Sequence, residues 1–286
     1  MGIAIFSPPG ESRAGRKGRV GRALSWLSPL VLLFLAGCPL WAQVKSADLT
    51  DLSLEDLMDT KVTSVSKTEQ KISRTASAIF VITAADIARS GATNIPDLLR
   101  MVPGLDVAQI NANTWAINAR GLNGRFSNEL LVMLDGRAVY TPTFGGVLWD
   151  TLDLPLEDVE SIEVIRGPGG TIWVANAVNG VVNIITKIAG ETKGGMLVAG
   201  GGNLDQGFGT GQYGGGLGQN TDYRIFSKYF NQDHLPGPAG AVGVDGWHLL
   251  RGGFRTDSRL SGKDHLMVEG DLYSGRENAP VTFLPA

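Results

Sequence analysis

Few residues of this chain have the type and spacing needed to carry out a reaction. The three histidines, His234, His248 and His265, are widely separated and fall in stretches that read as strands or their connections, so neither metal ligation nor acid-base catalysis is expected of them. Asp205, Asp222 and Asp233 stand singly in turns. Gly167-Pro168-Gly169-Gly170 lacks the following Lys-Ser/Thr of a phosphate-binding loop. With no nucleophile beside a base, an enzyme is not expected. The side chains fit for specific chemistry are recognition groups, above all Arg120 and Arg166, which directly precede Gly121 and Gly167. A guanidinium stays charged when partly buried, and its planar fork suits two-point binding of a carboxylate. The glycine after it lets the backbone turn sharply.

Short apolar segments must position these arginines. Ile162–Ile165 and Val181–Ile185 flank the Gly-Pro-Gly-Gly turn and an Asn-rich loop, which predicts a strand-loop-strand unit. Upstream, Ile79–Ile82 reads as a strand. Thr83 followed by Asp86 marks a capped helix ending near Gly91, and a second helix is predicted from Ile95 to Met101 behind Thr93 or Asn94. Further strands are predicted at Leu105–Ala108, Trp115–Ala119 and Leu130–Leu134, where Asp135-Gly136 supplies a tight hairpin turn. This part is a small α+β domain long enough to bury its own core.

Beyond Lys187 the chain becomes Gly-rich, with aromatics dispersed along alternating segments. Met196–Gly202, Gly209–Gly218, Tyr223–Asn231, His248–Thr256 and Asp264–Tyr273 read as successive antiparallel strands. Their alternation and length suit membrane-crossing strands.

The N-terminus carries Arg13, Arg16, Lys17, Arg19 and Arg22 ahead of the apolar run Ala23–Ala36, the layout of an export signal. Cleavage is expected after Ala42, with a start codon later than Met1 also open. Leu35-Ala36-Gly37-Cys38 offers lipidation on Cys38 as an alternative. Removing the five basic residues and Glu11 of this leader takes the net charge from −3 to −7, which argues against a nucleic-acid partner. Cys38 is the sole cysteine, so no internal disulfide is expected. Between Gln43 and Leu57 the spacing of Leu49, Leu52, Leu54 and Leu57 fits either a short helix or a linker.

From about Leu54 to Lys187 the order of motifs resembles the plug domain of TonB-dependent outer-membrane receptors: Val81–Ile87, Ala119-Arg120-Gly121, Leu134-Asp135-Gly136 and Ile162–Lys187. The resemblance implies an α+β plug domain (residues 67–187) followed by a partial antiparallel transmembrane β-barrel of about five strands (188–286). An export signal (1–42) and a leader (43–66) would precede them. Asp59–Ser66 resembles the TonB box, in which Asp59, Thr60, Val62, Thr63 and Val65 would meet the energy-transducing protein TonB by adding a strand. Arg120 and Arg166 would lock the plug to acidic residues of the inner barrel wall. Asn111, Asn113, Arg125, Tyr140, Phe144 and Trp149 lie on the loops that would contact a small-molecule ligand at the plug's outer tip, although Tyr140, Phe144 and Trp149 equally suit packing. Val174 departs from the family, which usually has glycine there.

The implied function is active uptake of a metal chelate, such as a ferric siderophore, across the outer membrane of a Gram-negative bacterium, with no cofactor. A non-transporting periplasmic plug that binds ligand or TonB is the alternative. A closed family barrel of 22 strands needs roughly 440 residues, whereas about 100 follow Lys187, so an N-terminal fragment is expected.

Overall fold

The computed structural model describes residues 78–121, 123–141, 145–167, 176–236 and 243–278, and the backbone of 61–62 and 70–71. All of them belong to one compact unit, Leu52–Ala286. Near its start, β1 (Lys61–Val62) pairs antiparallel with β2 (Gln70–Lys71).

The α+β part is built on β3 (Ala78–Thr83), which leads directly into α1 (Ala84–Ser90). Thr83 caps that helix: its hydroxyl accepts from the Asp86 amide at 3.2 Å, and the Asp86 carboxylate accepts from the Thr83 amide at 3.1 Å. Gly91 ends it in the left-handed region (φ 70°). Asn94 caps α2 (Ile95–Leu99) in the same manner, accepting from the Asp97 amide at 2.9 Å. This helix stops short of its expected end at Met101, because the chain passes into turns whose amides bond three residues back, Met101 to Leu98 and Val102 to Leu99, before Pro103 and Gly104 (φ 79°) redirect it.

β4 (Leu105–Asn111) and β5 (Thr114–Ala119) form a separate hairpin. β4 runs three residues past its expected end, so the connection that carries Asn111 and Asn113 is a tight tip with a bulge. β6 (Leu130–Leu134) turns through Asp135 (φ 47°) and Gly136 (φ 81°) into β7 (Arg137–Ala138). β8 (Val159–Arg166) and β9 (Gly180–Thr186) are the predicted strand-loop-strand unit. The sheet order is β3-β8-β9-β6-β7, in which β6 and β9 are parallel and the other pairs antiparallel. Its central strands are apolar on both faces because α1, α2 and the β4–β5 hairpin cover one side, leaving Ile82, Leu98, Leu99, Ile162 and Ile184 fully buried.

The second part is a five-stranded antiparallel meander: β10 (Gly194–Gly200), β11 (Asp205–Leu217), β12 (Thr221–Gln232), β13 (Trp247–Arg259) and β14 (His265–Glu277). The last four strands are each longer than expected, since their pairing continues to the turns. Connections 218–220 and 260–264 at one end are short, while 233–246 at the other is long. One face is exposed and apolar, with Leu197, Tyr213, Ile225, Tyr229, Leu250, Phe254 and Leu272 in cross-strand rows. The opposite face lies against the α+β part, and Trp247 and Leu249 join its core. Among the described residues no helix is long and apolar enough to cross a membrane.

Gly180 shows how tightly the central sheet is closed. A Cβ there would stand 2.5 Å from the Ile165 carbonyl oxygen and 3.1 Å from a methyl of Leu130. Gly180→Ala is therefore expected to destabilise the α+β part by about 3 kcal/mol through overpacking. Gly91→Ala, which meets only the left-handed strain of an open helix end, should cost about 1 kcal/mol. Urea unfolding of both variants measures the difference, and equal costs would contradict the packing described.

Candidate functional site

The seat between the two parts is made by charge. On the inner face of the meander, Arg224 and Lys228 of β12 stand directly across from Arg255 and Arg251 of β13. Four cations thus form a square, and each is less than a tenth exposed. Like charges opposed across a sheet repel, so the arrangement holds only if anions and carbonyls meet it. The segment 150–158, which holds the two 3-10 turns Asp150–Leu152 and Leu156–Asp158, brings Thr151, Asp153, Leu154 and Asp158 to it.

Lys228 spends all three ammonium protons, on Asp153 Oδ1 (2.5 Å), the Leu154 carbonyl (2.9 Å) and the Thr93 carbonyl (3.4 Å). Arg224 lies 3.3 Å from Asp158 and donates to the Lys187 carbonyl at 2.8 Å. Arg251 reaches the Thr151 carbonyl and pairs with Asp271 at 2.6 Å. Arg255 grips Asp257 through two hydrogen bonds (2.9 and 3.0 Å), donates to Thr186 Oγ1 at 2.7 Å, and lies 3.6 Å from Asp135. Asp257 also accepts from the Ala189 amide at 2.7 Å, which ties the start of the connecting segment to the wall.

Burial pushes the Asp153 carboxyl up, and Lys228 pulls it back. Asp158 is pushed up to about 6 by burial, against the opposing pull of Arg224. Its carboxylate makes no hydrogen bond of good geometry in the structure. The Arg224–Asp158 contact is thus an ion pair without hydrogen-bond alignment, whereas Lys228–Asp153 has both.

At the end bearing the long connection, Asp245 staples the parts together. Its carboxylate accepts from the Ala112 amide at 2.7 Å and from the Leu235 amide at 3.0 Å. The residues expected to touch a ligand are distributed unevenly around this tip. Asn111 Oδ1 accepts from the Asn113 amide at 3.0 Å, and Asn113 Nδ2 donates to the Asn278 carbonyl at 3.1 Å. Both side chains are therefore engaged in shaping the turn.

The Tyr140 hydroxyl donates to the Leu130 carbonyl at 2.6 Å, and burial, then Glu129, raises its pKa well above the usual phenol range. Trp149 is buried in the main core. Arg125 is exposed, 5.1 Å from the centre of the Phe126 ring. Phe144 lies outside the described residues, as do Asp59, Thr60, Thr63, Val65 and Val174; Val62 is in β1, paired with Gln70.

Arg120 and Arg166 converge on one edge. Arg120 has φ 60°, and its guanidinium lies so close over Gly167 that a Cβ there would be 3.1 Å from Nη2. Arg166 packs on Gly104 and donates to the Pro103 carbonyl at 2.7 Å. Among the described residues no ion pair joins either arginine to the meander. The cations that do bridge the two parts come from the opposite partner. Their signal was available: Arg224, Lys228, Arg251 and Arg255 all occupy the strand positions that alternate with the apolar Ile225, Tyr229, Leu250 and Phe254.

Residues 71–181 match the family model of the TonB-dependent receptor plug domain. The vitamin B12 transporter BtuB of Vibrio cholerae is 32% identical over 74% of this chain and 34% of its own length. The ferric enterobactin receptor of Pseudomonas aeruginosa is 30% identical over 88% of this chain and 33% of its own.

The chain belongs to the TonB-dependent receptor family.

Solved structures agree on the fold. The pyoverdine outer membrane receptor FpvA of P. aeruginosa aligns over 77% of this chain and 30% of its own with a TM-score of 0.60 at 17% identity. The ferric enterobactin receptor PfeA of the same organism aligns over 70% and 33% with a TM-score of 0.54 at 23% identity. The α+β part is the plug and the meander is barrel wall, and the chain spans about a third of the length of the curated relatives it matches.

The raised Asp158 carboxyl gives the seat a pH dependence of definite sign. A folded pKa near 6, above the ordinary 3.8, means the folded plug binds this proton more tightly than the unfolded chain does. Its contribution to stability therefore grows as pH falls from 7 towards 4, up to about 3 kcal/mol for a shift of this size. Asp158→Asn has no such proton to bind. The stability of the wild type relative to Asp158→Asn should increase over that range in urea unfolding, and a flat or reversed difference would contradict the burial effect.

Proposed function

We propose that this chain is the N-terminal part of an outer-membrane transporter that takes up a metal chelate, such as a ferric siderophore, with energy drawn from TonB. One observation carries the proposal: a plug is fastened through buried ion pairs to the inner face of a sheet whose outer face is apolar and exposed. A stopper fixed to a lipid-facing wall suits a gate that must stay shut until pulled. The ferric enterobactin and vitamin B12 receptors among the relatives support a scarce chelated nutrient as cargo.

In this scheme residues 1–42 direct export, Asp59–Ser66 is offered to TonB on the periplasmic side, and the tip carrying Arg125 faces outward to receive ligand. Arg120 and Arg166, on the plug edge away from the meander's cations, would lock onto carboxylates elsewhere in the barrel. The extended pairing of Lys61–Val62 suits a segment that joins a partner by strand addition.

Deleting Asp59–Ser66 from the full-length receptor should abolish energy-dependent uptake of radio-iron from ferric enterobactin or a ferric hydroxamate while leaving surface binding of the chelate intact. Unchanged uptake would refute the TonB role, and uptake of neither chelate by the unmodified receptor would refute the cargo class.

A further inference from the structure

The outer face of the meander changes chemistry at one level. Across β12, β13 and β14 its residues stand in registered rows, and Tyr229, Leu250 and Ser274 form the last row of the apolar surface towards the end bearing the long connection. Two residues further along each strand, Asn231, His248 and Arg276 stand directly across from one another. Gln206 of β11 extends this row, accepting from Asn231 Nδ2 at 2.9 Å. The outer face thus ends in a polar belt that crosses four strands.

The height of the belt agrees with a membrane boundary. From Thr221, in the row at the opposite end, to Asn231 the chain advances ten residues, which at about 3.3 Å per residue and about 45° of tilt is about 23 Å. The apolar band of a membrane barrel is about 25 Å tall. Arg276 therefore leaves the wall where acyl chains give way to headgroups.

The belt's donors are open to an outside partner. His248 and Arg276 are exposed, and among the described residues Arg276 enters no ion pair and His248 makes no side-chain hydrogen bond. Two acidic residues stand close in sequence, and neither competes. Asp233 is held by His234 Nδ1 at 2.6 Å, by the His234 amide at 2.8 Å and by Gln206 Nε2 at 2.9 Å, while Glu277 belongs to the opposite face with its cross-strand neighbour Trp247. A guanidinium can grip two oxygens of one phosphate, and an imidazole N–H and a side-chain amide can add to that grip.

We propose that Arg276, His248 and Asn231, with Gln206 steadying Asn231, form a docking belt for a phosphate-bearing lipid headgroup in the leaflet on the ligand-receiving side. This rests on the reading of the apolar face as lipid-facing wall. The belt is separate from the plug tip and does not depend on which nutrient the receptor carries.

The test places a bimane reporter on Ser274→Cys of the full-length receptor in dioleoylphosphatidylcholine vesicles containing a minor share of dibrominated phosphatidic acid, whose bromines quench only a reporter they touch. Phosphatidic acid should quench this reporter about fivefold more effectively than the same share of dibrominated phosphatidylcholine, the preference that one basic side chain gives at an anionic lipid surface. Arg276→Gln should abolish the preference, and a reporter on Leu217→Cys, at the other end of the exposed face, should show none. Equal quenching by the two lipids at Ser274, a preference retained in Arg276→Gln, or an equal preference at Leu217 would overturn the belt. Displacement by inorganic phosphate, but not by chloride at equal ionic strength, would assign the belt to the free ion and overturn the lipid. Quenching by neither lipid would overturn the lipid-facing reading of the wall itself. Leu272→Cys carries the reporter should Ser274→Cys fail to fold.

Discussion

An ammonium group that is only 6% exposed cannot be left without partners. Removing it from water costs several kcal/mol, which only close, well-directed acceptors can offset. For Lys228 those acceptors are Asp153, Leu154 and Thr93, all in the plug. The wall strand that carries Lys228 and the plug turns that carry its acceptors are therefore bound to one another: neither surface is satisfied alone. The same dependence extends to Arg224 with Asp158 and to Arg251 with Thr151, so the interface is a set of mutual obligations more than an area of apolar contact.

The period of the β-strand lets one short sheet meet two solvents. Along β12 and β13 the outer-face residues Ile225, Tyr229, Leu250 and Phe254 alternate with an inner-face set that includes Arg224, Lys228, Arg251 and Arg255, and a slip of one residue would place those four cations on the exposed apolar face. The inner cations thus fix the register of the wall as firmly as the outer Ile225, Tyr229, Leu250 and Phe254 do. Gly214 in β11 lets the chain at Thr192 approach closely, where a Cβ would stand 2.2 Å from its carbonyl oxygen, and Gly200 in β10 leaves room for the Phe208 ring.

Much of the plug could be read from residue types. Thr83, Asp86 and Gly91 state both ends of α1, and Asp135-Gly136 states the hairpin, because caps and turns of this kind are local and depend on few side chains. The order of the wall strands is legible in the sequence, but β10 begins and ends two residues before the segment its composition marks and β11 to β14 run longer than theirs, since strand ends are set by pairing with neighbours and not by their own composition. Arg120 and Arg166 stand out beside glycines, whereas Arg224, Lys228, Arg251 and Arg255 are dispersed among aromatics and acquire meaning only when two strands are laid side by side. Trp149 and Tyr140 have the look of ligand-binding aromatics, yet tertiary packing draws the first into the core and spends the hydroxyl of the second on the Leu130 carbonyl.

The central claim, that buried charge fastens the plug to the wall, is tested most directly by a double-mutant cycle on the full-length receptor with Lys228→Met, Asp153→Leu and the pair together, read as the free energy of plug unfolding in urea. Each single change strands a buried partner and is expected to cost about 3 kcal/mol, while the double change removes both charges and should recover at least about 2 kcal/mol of the summed loss. Costs that add to within about 0.5 kcal/mol would show that the two residues do not hold one another, and the account of the seat would fail.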